Sequence, residues 1–252
     1  MRRSILAAIL VTCAAHGVVA QTDRQLSPLA VAVACAPPPS FDPTPSDALR
    51  IIGSQDSVRR ELYGDRELLV IGGGTAAGVQ LGQQFFLRRE VQFGIPRGVR
   101  GSRTTGWIRV VAVNASTAIA SMDHACGGIE AGDYLDPFVE PVVSAEMERT
   151  ETPGEPDFSN LGRIVGFNED RMIVSAGDFA LIDWGQAQGL TPGTRFAVYR
   201  DVGTYRDLGG KGLPLASVGE GVVISTSHTV ALARLTRVRD AVYAGDYIAI
   251  RK

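Results

Sequence analysis

One segment occurs twice in this chain, and that repetition limits its folding choices more than any other feature. Arg50-Ile51-Ile52-Gly53 returns as Arg163-Ile164-Val165-Gly166, and Gly64-Asp65 returns as Gly177-Asp178. IGGGTAAGVQLGQQFFLRREV, from Ile71, aligns with IDWGQAQGLTPGTRFAVYRDV, from Ile182, so that Gly74, Gly78, Gly82, Phe85, Arg89 and Val91 meet Gly185, Gly189, Gly193, Phe196, Arg200 and Val202. Gly106 and Val110 meet Gly219 and Val223, Ala118 and Ala120 meet Ala231 and Ala233, and Ala131-Gly132-Asp133-Tyr134 returns as Ala244-Gly245-Asp246-Tyr247. The offset stays at 111 to 113 residues throughout, which chance does not produce. The chain is a tandem duplication, with lobe one at 49–138 and lobe two at 161–252.

Each copy reads as β structure. Short apolar runs such as FALID from Phe179, RFAVYRD from Arg195, GVVISTS from Gly221, TVALARLTRV from Thr229 and YIAIR from Tyr247 are cut by glycine-bearing turns. No helical stripe exceeds two turns. Five or six antiparallel strands in about 90 residues predict an all-β chain of two small barrel or sandwich-like lobes. Alternation at Val230, Leu232 and Arg234 predicts one face toward the interior and one toward water.

The flanking segments differ in composition. Arg2 and Arg3 precede an apolar run from Ile5 to Ala15, and Val18-Val19-Ala20 supplies a small-residue cleavage site, so residues 1–20 are expected to be a signal peptide. That places the protein outside the cytoplasm, periplasmic or on the outer surface. Cys13 offers a lipid-anchored alternative. No later run is long enough to be a membrane helix. Residues 21–48 are rich in proline and expected to be mostly extended, with the apolar run LAVAVACA lying against lobe one. Residues 139–160, acidic and broken by Pro141, Pro153 and Pro156, read as a solvated linker. The exported setting makes Cys35 and Cys126 a disulfide pair, a staple of roughly 4–5 kcal/mol on the chain-entropy model. Lobe two has Arg239 where lobe one has Cys126, which ties the bridge to the lobe beside the cysteine-bearing tail.

LLVIGGGTAAGVQLGQQFF, from Leu68, opens like a dinucleotide turn, which needs a strand before it and a helix after it. Another strand follows instead, and the copy keeps Gly74, Gly78 and Gly82 as Gly185, Gly189 and Gly193 while Gly72 and Gly73 become Asp183 and Trp184. These are turn glycines, and no cofactor is expected. His124 and His228 are not equivalent in the two lobes, and no cluster of metal-ligand type stands out, so no metal is expected. Asp123-His124 beside Ser121 suggests a hydrolytic site, but neighbours on a strand face opposite ways and no nucleophile elbow is present. Asp133 and Asp246 read as turn residues accepting backbone amides, and Trp107 and Trp184 as core or turn packing.

The remaining candidate is RREVQFGIPRGVRGSR, 88–103, read as a loop carrying Arg88, Arg89, Arg97, Arg100 and Arg103 with Phe93 and Ile95 interleaved. Its counterpart in lobe two is not basic. A solvated loop is the plain reading. Guanidinium forks also fit carboxylates and phosphates, which makes an anionic partner the functional one. With 25 Lys and Arg against 27 Asp and Glu, the formal charge of −2 exerts no general pull on nucleic acid.

The pattern Ile-Asp-x-Gly from Ile182, Gly-Leu-x-Pro-Gly-x-x-Phe-x-Val-Tyr-Arg from Gly189, Val-Gly-Glu from Val218 and Ala-Gly-Asp-Tyr from Ala244 resembles small β modules of exported bacterial envelope proteins. These include the C-terminal modules that follow LysM peptidoglycan-binding domains and the C-terminal domain of a flagellar basal-body assembly protein. The match covers 162–250 most closely, with lobe one a more diverged copy. The layout, with Cys-Ala-Pro-Pro-Pro near the start and His-Ala-Cys-Gly-Gly before the acidic segment, is similar to secreted bacterial proteins of unknown function. The resemblance implies a non-enzymatic envelope scaffold or binding module, its partner an envelope protein or an anionic cell-wall polymer. A cell-wall hydrolase using Asp123 and His124, or a structural subunit of an envelope assembly, are the alternatives.

Overall fold

A computed structural model describes residues 26–56, 60–64, 66–93, 99–149, 151, 153–168, 171–203 and 214–252. The expected signal peptide with Cys13, together with Asp65 and Arg97, lies outside the described residues. Among the described residues the chain is all-β apart from one short α-helix and isolated 3-10 turns.

Lobe one is built from β1 (Ile51–Ser54), β2 (Leu68–Ile71), β3 (Gln84–Phe93), β4 (Val99–Val113), β5 (Ala118–Ala125) and β6 (Tyr134–Pro137). Lobe two uses β7 (Gly162–Phe167), β9 (Phe179–Ile182), β10 (Arg195–Asp201), β11 (Leu215–Thr226), β12 (Ala231–Val238) and β14 (Tyr247–Ile250), while β8 (Ile173–Val174) and β13 (Val242–Tyr243) pair as a small ribbon. Lobe two is a closed barrel in the order β7-β9-β12-β11-β10-β14. Lobe one repeats that order as a six-stranded sheet, β1-β2-β5-β4-β3-β6. Its edges meet through an Arg50–Tyr134 bridge, a bond from Ile51 N to Asp133 O (2.9 Å) and one from Leu135 N to Leu49 O (2.8 Å).

Matched positions fill the two interiors. Ile51, Ile71, Val79, Phe85, Leu87, Val110, Ala118 and Ala120 line lobe one, and Ile164, Ile182, Leu190, Phe196, Val198, Val223, Ala231 and Ala233 line lobe two. The repeated glycines shape the connection after β2 and β9. A Cβ on Gly74 would sit 2.1 Å from Asn114 O, and one on Gly185 would sit 2.5 Å from Ser227 O. The next strand pair's turn presses directly on the chain there. Thr75 N and Ala76 N donate to Asn114 O and Ala115 O, as Gln186 N and Ala187 N do to Ser227 O and His228 O. A single 3-10 turn follows Gly74 and Gly185, and in lobe one the amides from Thr75 to Val79 are bonded to backbone carbonyls of the lobe.

The N-terminal segment differs from the extended tail expected for it. Pro28–Cys35 forms helix α1, with Pro28 in its first turn and the Ser27 hydroxyl accepting the Ala30 amide at 3.2 Å. The helix is apolar on every side, a pattern that requires burial on every side. Leu29, Ala32, Val33 and Ala36, spaced three and four apart, face lobe two among Val165, Leu181, Val222 and Leu232. Val31, Ala34 and Cys35 face Phe86 and Trp107 of lobe one. The run thus lies between the lobes rather than against lobe one alone.

This wedge also changes the reading of lobe two's outer face. Val230 and Leu232 pack beneath α1 and the β3–β4 hairpin, and Arg234 Nη1 donates to Met147 O at 2.7 Å, so that face meets protein instead of water. The acidic segment is mostly exposed but anchored. Met147 is buried, Arg195 Nη1 donates to Arg149 O (2.8 Å), and Asp157 N donates to Ile250 O (2.8 Å).

Candidate functional site

The segment read as an arginine loop is mostly the far half of a long hairpin, β3 and β4, paired from Gln84–Arg109 out to Phe93–Val99. Its outer end reaches lobe two. Phe93 packs over Gly166, where an added Cβ would lie 2.1 Å from the ring, and beside Phe41 at 5.9 Å between centroids. The hairpin is therefore an interlobe arm.

The five arginines separate along it. Arg88 is buried on β3, its guanidinium 4.3 Å from the Phe86 ring centre and 3.5 Å from Asp136. It donates to Thr104 Oγ1, whose hydroxyl donates to Ala36 O at 2.8 Å, joining the hairpin to the end of α1. Burial pushes the Arg88 guanidinium below its ordinary range, with Asp136 pulling the other way. Arg89 grips Asp133 with two parallel bonds, Nε to Oδ1 at 2.6 Å and Nη2 to Oδ2 at 2.8 Å, and also bonds Glu130. Both arginines expected to meet an external anion thus bind acids of their own lobe. Arg100 is exposed on β4, opposite Gln92. Arg103 is half-buried opposite Arg89 and lines a cavity of about 290 Å³ with Thr104, Thr105, Cys126, Gly127 and Gly128.

The Arg89 clasp recurs in lobe two. Arg200 grips Asp246 through Nε to Oδ1 (3.0 Å) and Nη2 to Oδ2 (2.7 Å), with Asp240 at 3.2 Å from Nη1. In each copy the same carboxylate also accepts a turn amide, Glu130 N at 3.1 Å on Asp133 and Tyr243 N at 2.9 Å on Asp246. The Asp246 hydrogen bond raises the Arg200 guanidinium's pKa against partial desolvation. For Arg89 desolvation opposes the charge, but Asp133 and Glu130 outweigh it and the shift is again upward. The sequence displayed both halves of this device, Arg89 with Arg200 and Asp133 with Asp246, at offsets of 111 and 113 residues. That joint retention was the signal that the four residues act as two pairs.

Asp123 and His124 sit differently from the alternating strand expected. A bulge opposite Trp107 and Ile108 turns both onto the outer face of β5. There Asp123 accepts from Gln84 Nε2 at 2.7 Å and pairs with Arg109 Nη2 at 3.0 Å. The His124 ring lies flat on Trp107, 4.6 Å between centroids and 25° between planes. Ser121 Oγ points to Arg109 O at 3.5 Å. The carboxylate faces a guanidinium and the imidazole faces an indole, so the three polar groups do not converge on one another.

Cys35 and Cys126 form a disulfide, with Cα atoms 5.4 Å apart. It fastens the C-terminus of α1 to the end of β5, beside the Phe86–Trp107–Phe138 cluster. Two larger open depressions lie at matching ends of the lobes, about 940 Å³ along Ile52, Gly53, Leu62 and Tyr63, and about 590 Å³ along Ile173, Val174, Val238 and Ala241. Among the described residues no helix is long and apolar enough to cross a membrane. No protein-family model matches the chain, and comparison with curated proteins finds no match.

Proposed function

We propose that this is an exported, non-catalytic envelope protein whose two lobes form one rigid binding body, with the β3–β4 arm contacting an anionic polymer or an acidic envelope protein. One observation carries the reading. Arg88 and Arg89 are built into lobe one, while Arg100 is exposed on the strand leading from the hairpin tip, with Arg97 between the two strands in sequence. Arg103, at the cavity beside Cys126, extends the same basic edge. The wedge of α1 and the Phe93–Gly166 contact would hold that edge in a fixed orientation, which lowers the ordering cost of binding. The motif resemblance to envelope β modules and the expected signal peptide supply the location. The hydrolase alternative draws less support, because Asp123 and His124 are each engaged with a different neighbour.

Co-sedimentation with purified peptidoglycan sacculi tests it. The wild type should pellet, salt should weaken pelleting, and a variant with Arg97, Arg100 and Arg103 changed to alanine should stay in solution. A wild type that remains in the supernatant at low salt removes the polymer and leaves an acidic protein as the partner to seek.

A further inference from the structure

We propose that Cys35, Cys126 and His124, once their disulfide is reduced, form a three-ligand site for a thiophilic cation such as zinc(II). The two sulfurs and a ring nitrogen of His124 already lie within 4.8 Å of one another. A tetrahedral zinc site with sulfur at about 2.3 Å and nitrogen at about 2.0–2.1 Å sets its ligand atoms roughly 3.5–3.8 Å apart. With the Cα atoms 5.4 Å apart, small rotations about the Cα–Cβ bonds bring the freed sulfurs to that spacing. His124 lies on β5 and Cys126 follows directly after the strand, both beside Trp107, and Cys35 reaches them from the end of α1.

Two further observations favour a ligand set over a plain staple. The His124 ring is held against Trp107 rather than swinging free, so its orientation is fixed before any ion arrives. The cavity of about 290 Å³ lined by Cys126, Gly127, Gly128, Thr104, Thr105 and Arg103 gives an ion a path to Cys126 and leaves room for a fourth ligand, such as water. Lobe two builds the same strand order with Arg237 and Arg239 where lobe one has His124 and Cys126. The barrel itself does not require these residues.

The chemistry balances simply. A dithiol supplies two electrons and two protons, the sulfur–sulfur bond breaks to two thiols, and the dithiol leaves as its own cyclic disulfide. Binding of the cation then releases the two thiol protons. In either state α1 stays fastened to β5, by a disulfide when oxidised and by the metal when reduced. This inference stands apart from the anionic-partner reading, since none of its ligands belongs to the proposed arginine edge.

The test uses cobalt(II) as a coloured probe on protein reduced with a phosphine, with oxygen excluded. The reduced protein should take up one cobalt per chain, with thiolate-to-cobalt charge transfer and the visible bands of a tetrahedral site, and the oxidised protein should show neither. His124→Phe keeps an aromatic ring for Trp107 to stack on and should weaken binding by at least about 10-fold. Cys126→Ser should abolish the charge-transfer band. Absence of these bands in the reduced wild type would overturn the proposal, as would equal affinity in His124→Phe or equal binding by the urea-unfolded chain. A reduced chain that loses its near-UV circular dichroism and does not regain it with cobalt would overturn it too, because only the folded chain gathers these ligands.

Discussion

The two lobes share an interior and differ on their outer faces. In lobe two Val165, Phe179, Leu181, Ile224 and Leu232 are buried beneath α1, the hairpin arm and Met147. The matching positions in lobe one include Ile52, Leu68 and Val111, which are 57%, 40% and 43% exposed. Gly166 holds the Phe93 ring, whereas its counterpart Gly53 has nothing within 4 Å of an added Cβ. The barrel interior follows from the pattern both copies carry. The outer face depends on what each copy meets: lobe two receives the tip of the arm and one side of the helix, while the other side of the helix covers Phe86 and Trp107 of lobe one. Lobe one in turn carries the disulfide that secures that helix.

The largest expected effect breaks this asymmetry at its fastening. Replacing Cys35 and Cys126 by alanine should cost about 4–5 kcal/mol, since the bridge spans a sequence separation of 91 residues. Each lobe has one tryptophan, Trp107 and Trp184, so urea unfolding of Trp184→Phe and Trp107→Phe backgrounds tells which lobe loosens first. Trp107, in the cluster beside the disulfide, should report the earlier change, and simultaneous loss of both signals would mean the lobes unfold as one unit.

The clasps test what the lobes share. Asp133→Ala or Asp246→Ala leaves a partly buried guanidinium and a turn amide without their acceptor, and should cost roughly 2–3 kcal/mol each by chemical denaturation. Asp133→Ala should be the costlier, because Asp133 also accepts from Thr105 Oγ1 at 3.0 Å. Equal losses would show that this extra bond adds nothing.

The matched glycines should respond in opposite directions. Gly166→Ala forces the Phe93 ring aside and should destabilise by about 1–3 kcal/mol. Gly53→Ala enters open space in a strand and should be neutral or stabilise by up to about 1 kcal/mol. A Phe93→Leu background should relieve Gly166→Ala and leave Gly53→Ala unchanged, which a double-mutant cycle measures.

The smallest effect concerns Asp183, which stands where lobe one has Gly72. Partial burial raises its pKa, although the Arg163 amide donates to its carboxylate at 2.6 Å. A raised folded-state pKa means the fold disfavours the ionised form, so its penalty grows as pH rises through that pKa. Asp183→Asn should therefore be slightly more stable than wild type near neutrality, with the gap closing as pH falls into the carboxylate range. Thermal melts from pH 3 to 7 would check this, and a gap that widens in acid would reverse the sign.

Much of the fold was legible because a duplicated chain supplies its own control. Positions retained in both copies, such as Gly74 with Gly185 and Phe85 with Phe196, turned out to be turn and interior sites. The bulge at Asp123 was not legible, because one extra residue breaks the strict alternation a strand reading assumes. The arginine edge was half legible. Its composition was plain, but which guanidinium meets an internal acid depends on residues 44 positions away, as with Arg89 and Asp133.

The sequence by itself determined the all-β class and the turn glycines, because each rests on local backbone geometry or on a pattern repeated within the chain, and the cysteine pair, because only two cysteines follow the expected signal peptide. Only the tertiary structure decided that LAVAVACA is a helix, that it lies between the lobes, and that Phe93 seats on Gly166. An eight-residue run apolar on all sides carries no period to read. Its conformation and its place follow from the two apolar surfaces that close around it.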